Sequence, residues 1–200
     1  MDIHTDYRTI TREQFLFHEM RIVAKLLNQG MTDQEVMDEI AQNNLFQYPT
    51  ERTIRNLASV CIKRFKTVDT NDFIELIANG SSDTSRQACL FLMMNYYRLV
   101  WDFMIGVIGE KYRTQNYSFS KLDLNAFFTR LQEQNDTVAS WSDSTIQKCK
   151  QVLKKILVEN GYLDSTKSET LNPILIDLQL KDAIEKIGKK EAFIAFNEIQ

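Results

Sequence analysis

Basic side chains recur at helical spacing in two segments of this 200-residue sequence. The first segment, residues 51–66, contains Arg52, Arg55, Lys63 and Lys66. When each residue advances 100° around a helix, these four cations fall within one arc of about 80°. Apolar residues fill the opposite side, so the pattern predicts a helix that packs with one face and presents cations on the other. A row of cations of this kind can bind the phosphates of a nucleic acid backbone.

A second amphipathic helix is predicted from Ser142 to Asn160. The polar residues on its outer arc are Ser144, Gln147, Lys148, Lys150, Gln151, Lys154 and Lys155. Lysine meets phosphate as a point charge, whereas bidentate contacts to bases favour Arg, Asn or Gln. Arg52 and Arg55 are therefore the best candidates for touching bases. Gln147 and Gln151 are weaker candidates, and we expect little sequence specificity.

The distribution of charge supports a polyanionic ligand better than the total does. The whole chain has a net charge of −3, but residues 49–66, with five basic residues and one acidic residue, carry +4. Residues 148–167 carry +3, and the remainder is acidic. Either basic face alone could be an ordinary solvated surface. Two such faces at equivalent positions in two similar segments favour a binding role, with double-stranded DNA as the expected ligand.

The rest of the sequence predicts a mainly helical, all-α fold. Only six glycines and two prolines interrupt it, which is few for the turns of an all-β protein. Hydroxyl or acidic N-cap residues mark the predicted helix starts, and Thr32 is followed by Glu35 in a capping-box spacing. The predicted helices span residues 12–29, 32–43, 51–66, about 82–112 (a long central helix), 120–131, 142–160, 177–188 and 189–200. The predicted N-caps of the second, third, fifth, sixth and seventh helices are Thr32, Thr50, Ser120, Ser142 and Asp177.

These elements predict two helix-turn-helix or winged-helix-like units around the long central helix. Residues 161–176 have the form of a strand, a polar turn and a second strand, which would be a short β-hairpin wing. The corresponding domains are an N-terminal helix-turn-helix-like unit at 1–80 and, at 81–200, the central helix with a winged-helix-like unit.

Catalytic, metal and membrane functions are not expected. The sequence lacks a glycine-rich phosphate loop and an HExxH motif. Cys61, Cys89 and Cys149 are far apart and are predicted to be buried, so neither a metal site nor a cofactor is expected. The apolar segment 88–109 carries Asn95, Arg98 and Asp102, which predicts a core helix rather than a membrane span. We expect a non-enzymatic protein of the cytoplasm, without a secretory signal.

Several motifs resemble the BrxA family of bacterial BREX systems, which protect against phage. They are Asn43–Phe46, Tyr48–Ile54, Glu110–Tyr112, Phe127–Phe128, Val138–Ile146 and Asn160–Gly161. The tryptophan-centred motif around Trp141 is the most specific, and the resemblance runs from about residue 12 to residue 190. It implies a small helical protein that binds duplex DNA and works beside the system's methyltransferase and other BREX components. It does not identify the DNA site, the oligomeric state, the direct protein partner or the step of defence.

Two other functions stay open. The outer helices could dock a large protein partner, which would make this chain an adaptor or scaffold within a defence complex. A dimeric repressor of a palindromic site is less supported, because the sequence contains no obvious coiled-coil or dimerisation helix.

Overall fold

The fold was analysed in a computed structural model, which describes residues 6–12 and 14–198. Contacts divide the chain into two compact units. Unit 1 comprises Phe15–Tyr96 with Asp177–Gly188, and unit 2 comprises Tyr97–Ile176 with the described residues before Phe15 and after Gly188. The described residues contain no β-sheet, and the predicted all-α class is confirmed.

Unit 1 is a bundle of six helices in the described residues. They are α1 Phe17–Asn28, α2 Asp33–Gln42, α3 Glu51–Phe65, α4 Asp72–Asn79, α5 Ser82–Tyr96 and α11 Leu178–Lys186. Helix α1 packs on α4, α2 on α3, and α4 and α11 on α5. The rings of Phe73 and Phe91 stack with their centroids 5.1 Å apart. Helix α5 is buried along nearly its whole length, so it is the central element of this unit.

Unit 2 contains shorter helices and irregular segments. Its elements are α6 Arg98–Phe103, a π-helix Met104–Gly109, α7 Glu110–Arg113, α8 Lys121–Gln134, α9 Asp136–Ala139, α10 Asp143–Glu159 and a 3-10 helix Lys190–Phe196. Phe103 packs edge-on against Phe119 and Phe127 at centroid distances of 6.2 and 5.4 Å. The 3-10 helix packs on the π-helix and α7.

The predicted helix starts are largely confirmed. Thr32 and Glu35 form a reciprocal capping box at α2, and Thr50 caps α3. Ser120 and Ser142 cap α8 and α10. Each cap accepts hydrogen bonds from amides that the first helical turn leaves unbonded. Because this interaction is local, the N-cap residue alone is enough to predict where each helix starts.

The prediction of one continuous central helix is wrong. The chain leaves helical geometry at Tyr97, whose φ of −117° and ψ of 109° are extended, and it re-enters a helix at Arg98. The π-helix then interrupts α-helical geometry a second time. The contact-defined units accordingly separate between Tyr96 and Tyr97, whereas the sequence-based division falls at residues 80 and 81.

The predicted β-hairpin wing is also wrong. Residues 161–176 form turns and loops, and the one β-bridge within the described residues pairs Thr170 with Ser118 instead of with the other arm of the hairpin. Tyr162, Leu163 and Leu171 are buried. Because the adjacent residues Tyr162 and Leu163 are both buried, the first arm does not alternate between a core face and solvent as a hairpin strand would.

The two ends of the chain differ from the prediction in smaller ways. Helix α1 begins at Phe17 instead of near residue 12, after Leu16 in a left-handed conformation, and Glu13 lies outside the described residues. The last predicted helix is a 3-10 helix up to Phe196, and its final two predicted positions are not among the described residues. No helix in the described part of the chain is both long and apolar enough to span a membrane.

All three cysteines are buried thiols, as predicted. Burial raises the pKa of the Cys89 thiol and that of the Cys149 thiol, so little reactive thiolate forms at neutral pH.

We expect a thiol reagent to leave the native protein unmodified and to react with three thiols per chain in denaturant. Rapid labelling of the native protein, followed by mass spectrometry, would contradict this burial.

Candidate nucleic-acid interface

Helix α10 is positioned by its cap and its buried side. The Ser142 hydroxyl accepts a hydrogen bond of 3.3 Å from the Thr145 amide. The helix ends at Glu159, and its C-cap Asn160 is followed by Gly161, whose φ is +76°. Its buried residues are Ile146, Cys149, Val152, Leu153, Ile156 and Leu157. This buried stripe fixes the rotation of the helix, so the opposite side must face outward.

The outward face of α10 contains most of its predicted binding residues. The exposed residues on this side are Ser144, Gln147, Lys148, Gln151 and Lys155, and Lys154 is half-buried. Neither Lys148 nor Lys154 has an ion-pair or hydrogen-bond partner among the described residues. The Ser144 hydroxyl lies 3.0 Å from that of Ser142. We call this surface the α10 face.

Two other lysines of α10 are engaged within unit 2. Lys155 donates a hydrogen bond of 2.6 Å to Gln14 and lies 3.4 Å from a Glu159 oxygen. Lys150 donates to the Asn125 side chain at 2.8 Å and sits 5.6 Å above the Phe128 ring. Lys150 therefore joins α10 to α8, and both lysines are less available to an external anion than Lys148.

Helix α3 presents the second predicted face. Thr50 caps its start, and its buried residues are Ile54, Ala58, Cys61, Ile62, Arg64 and Phe65. Arg64 is fully buried, and its Nη1 donates a hydrogen bond of 2.7 Å to the Phe15 carbonyl. This arginine contributes to the +4 charge of residues 49–66 but belongs to the core of unit 1, so it cannot meet a ligand on the α3 face.

Of the four cations predicted for the α3 face, two are paired with carboxylates and two are not. Arg52 and Lys63 are exposed, without a hydrogen-bond or ion-pair partner in the described part of the chain. Arg55 donates to Glu51 at 2.7 Å and to Asp38 of α2 at 3.0 Å. Lys66 forms an ion pair with Asp33 of α2. The α3 face, defined by these four cations, is thus half occupied by carboxylates.

The titration behaviour of Arg55 and Asp38 agrees with this pairing. Hydrogen bonds to Glu51 and then to Asp38 raise the pKa of Arg55. Hydrogen bonds from Gln34 and then from Arg55 lower the pKa of Asp38. The Arg55 and Asp38 pair is therefore fully charged at neutral pH. Exposed pairs of this type contribute little to stability, but they cancel positive charge where a polyanion would bind.

Sequence reasoning missed Asp33 and Asp38 as partners of the α3 face. Both residues lie in α2, in or near its first turns, where a solvated acid that favours the helix dipole is common, so their sequence positions alone do not indicate pairing with α3. The connection between α2 and α3 is the eight-residue segment 43–50, longer than the three- or four-residue turn of a helix-turn-helix motif. The predicted helix-turn-helix geometry therefore stays a prediction, and so does the joint action of the two faces.

The fold and these surfaces define a class of all-α proteins with two helical units and exposed cationic helix faces. The BrxA family model matches residues 6–188. A BREX protein BrxA of Bacillus cereus strain H3081.97 is 34% identical over 181 residues, covering 90% of each chain. This chain therefore belongs to the BrxA family, which confirms the resemblance predicted from the sequence.

More distant relatives agree with this assignment. A BREX protein BrxA of Escherichia coli O9:H4 strain HS is 25% identical, covering 86% of this chain and 81% of the relative. The crystal structure of an uncharacterized protein from Magnetospirillum magneticum superimposes with a TM-score of 0.81, covering 95% of this chain and 97% of the other, at 21% identity. At that identity the structural match supports the fold alone.

Proposed function

We propose that this protein is a duplex-DNA-binding accessory component of a BREX phage-defence system that performs no catalysis of its own. Membership of the BrxA family supports the place in BREX. The observation that carries the DNA-binding part is the α10 face, where Lys148 and Lys154 lack partners among the described residues. The same helix exposes hydroxyl and amide groups beside these cations.

The chemistry of the α10 face suits backbone contacts better than base recognition. Lys148 and Lys154 would bind phosphates as point charges, and the Ser144 hydroxyl could donate to a phosphate oxygen. Gln147 and Gln151 could reach base edges, but lysines dominate the charge. Binding would therefore be salt-sensitive and would discriminate weakly between sequences. On the α3 face, Arg52 is the better placed candidate for a base contact because Arg55 is engaged by carboxylates.

The number of participating cations sets the expected dependence on salt. On the α3 and α10 faces, four cations have no hydrogen-bond or ion-pair partner among the described residues, namely Arg52, Lys63, Lys148 and Lys154. If both faces bind, the slope of log affinity against log salt is about −3.6, whereas the α10 face alone gives about −1.8. Between about 50 and 200 mM salt these slopes correspond to losses of about 150-fold and about 12-fold.

A titration of labelled nucleic acids across this salt range tests the proposal. We expect binding of mixed-sequence duplex DNA with one of these slopes, and weaker binding of single-stranded DNA and of RNA. Fluorescence anisotropy with the full chain measures all three ligands. Failure to bind duplex at the lowest salt concentration would reject duplex DNA as the ligand.

A second candidate function is a protein-interaction adaptor among BREX components, including the methyltransferase that the family resemblance implies. Three exposed leucines favour it, because Leu122, Leu175 and Leu178 leave 75, 85 and 76% of their surfaces in solvent. Leu175 and Leu178 are three residues apart in the chain, and exposed apolar side chains that lie close together are common at protein contacts. Co-purification with other BREX proteins, together with no duplex binding at low salt, would favour the adaptor.

A further inference from the structure

Helix α2 places carboxylates against the cationic face of α3. Its ten residues include four acidic residues and no Lys or Arg. Asp33 pairs with Lys66, near the C-terminal end of α3, and Asp38 pairs with Arg55, one turn into it. The two contacts therefore occupy cations at well-separated points along the same helix face.

A carboxylate and a phosphate offer the same kind of acceptor to these cations. Both are oxyanions that take charge-assisted hydrogen bonds from an ammonium or a guanidinium group. A duplex approaching Arg55 or Lys66 would have to displace the α2 carboxylate and would then lie beside its negative charge. Because both pairs are partly exposed, they can exchange with an external anion at a cost in affinity.

We propose that α2 is an intramolecular competitor for DNA at the α3 face, with Asp33 and Asp38 withholding Lys66 and Arg55 from the duplex. This inference rests on the proposed binding of duplex DNA. In unit 2, Lys148 and Lys154 of α10 have no carboxylate partner among the described residues. The α3 face therefore acts mainly through Arg52 and Lys63.

Removing the two carboxylate charges tests this competition. In the double variant Asp33→Asn and Asp38→Asn, Lys66 loses its carboxylate partner and Arg55 keeps only Glu51. Each cation that becomes available adds about 0.9 to the magnitude of the salt slope, so the slope should steepen by about 0.9 to 1.8. We expect affinity for a mixed-sequence duplex to rise at about 50 mM salt and to fall about 3- to 12-fold more than in the wild type by about 200 mM. Because exposed ion pairs are weak, releasing each cation from its pair should itself raise duplex affinity by at most about fivefold.

A matched control separates local competition from a change in net charge. Glu75→Gln with Asp182→Asn also removes two negative charges from unit 1, on α4 and α11. Both residues are exposed, and neither has a hydrogen bond or an ion pair with a described residue. This control should raise affinity less and leave the salt slope within about 0.5 of the wild-type value, since it frees no cation.

A double-mutant cycle provides a second measurement. Replacing Arg55 and Lys66 by glutamine should change duplex binding little in the wild type but should abolish the gain in the Asp33 and Asp38 variant. Equal slopes for that variant and the charge-matched control would overturn the competition while leaving duplex binding intact. A wild-type chain that does not bind duplex would overturn the proposed function itself, and the inference with it.

Discussion

Replacing Lys148 and Lys154 by glutamate should weaken duplex binding by at least about tenfold at moderate salt and should reduce the magnitude of the salt slope by about 2. These two cations of the α10 face have no partner in the part of the chain that the structure describes. Their loss removes contacts and introduces repulsion of phosphate. The neutral pair of substitutions Lys148→Gln and Lys154→Gln should give an intermediate affinity. Fluorescence anisotropy over a salt series measures both quantities.

The control for this prediction lies on another helix of the same unit. Lys121→Glu with Arg130→Glu reverses two exposed charges of α8, so it changes the net charge by the same amount. We expect its affinity for duplex to stay within about threefold of the wild type, because these two side chains are not part of the α10 face and exposed charges are screened at moderate salt. If both double variants weakened binding equally, the α10 face would not be the site, and only the overall charge would matter.

Replacing Phe103 by alanine should lower the free energy of unfolding by about 3 to 5 kcal/mol. Phe103 is fully buried, and its ring contacts those of Phe119 and Phe127 edge-on. Truncation removes this contact surface and leaves a cavity that two flanking rings cannot fill without repacking. Urea unfolding followed by circular dichroism measures the change.

Leu122→Ala supplies the comparison for the stability measurement. Leu122 lies in the same unit but leaves 75% of its surface in solvent, so its truncation should change stability by less than about 0.5 kcal/mol. A Phe103→Ala variant no less stable than Leu122→Ala would mean that the three-ring cluster does not form as described.

The sequence predicted best those features whose causes are local. Thr32, Thr50 and Ser142 act on amides within their own first helical turn, and the buried stripes of α3 and α10 follow from helical period alone. Arg64 illustrates the same rule, because on the helical wheel it lies about 120° from Arg52, toward the buried side. The net charge of +4 for residues 49–66 includes the buried Arg64 and therefore overstates the charge available on the α3 face.

Features set by distant residues could not be predicted in this way. Tyr97 is neither glycine nor proline, yet the helix breaks there, so packing overrides local propensity. Thr170 forms its bridge with Ser118, more than 50 residues earlier in the chain. The pairing of Arg55 with Asp38 depends on the packing of α2 on α3. The exposure of the α10 face therefore follows from the sequence, whereas the pairing of two α3 cations with α2 carboxylates does not.

The connectivity of the two units has a practical consequence for dissecting them. The backbone passes from one unit to the other after Gln14, Tyr96, Ile176 and Gly188. A fragment that ends at Tyr96 therefore lacks α11, which packs on α4 and α5. No single cleavage releases either half whole, so separating them requires splicing or circular permutation, and exchange of one unit between relatives requires more than one crossover.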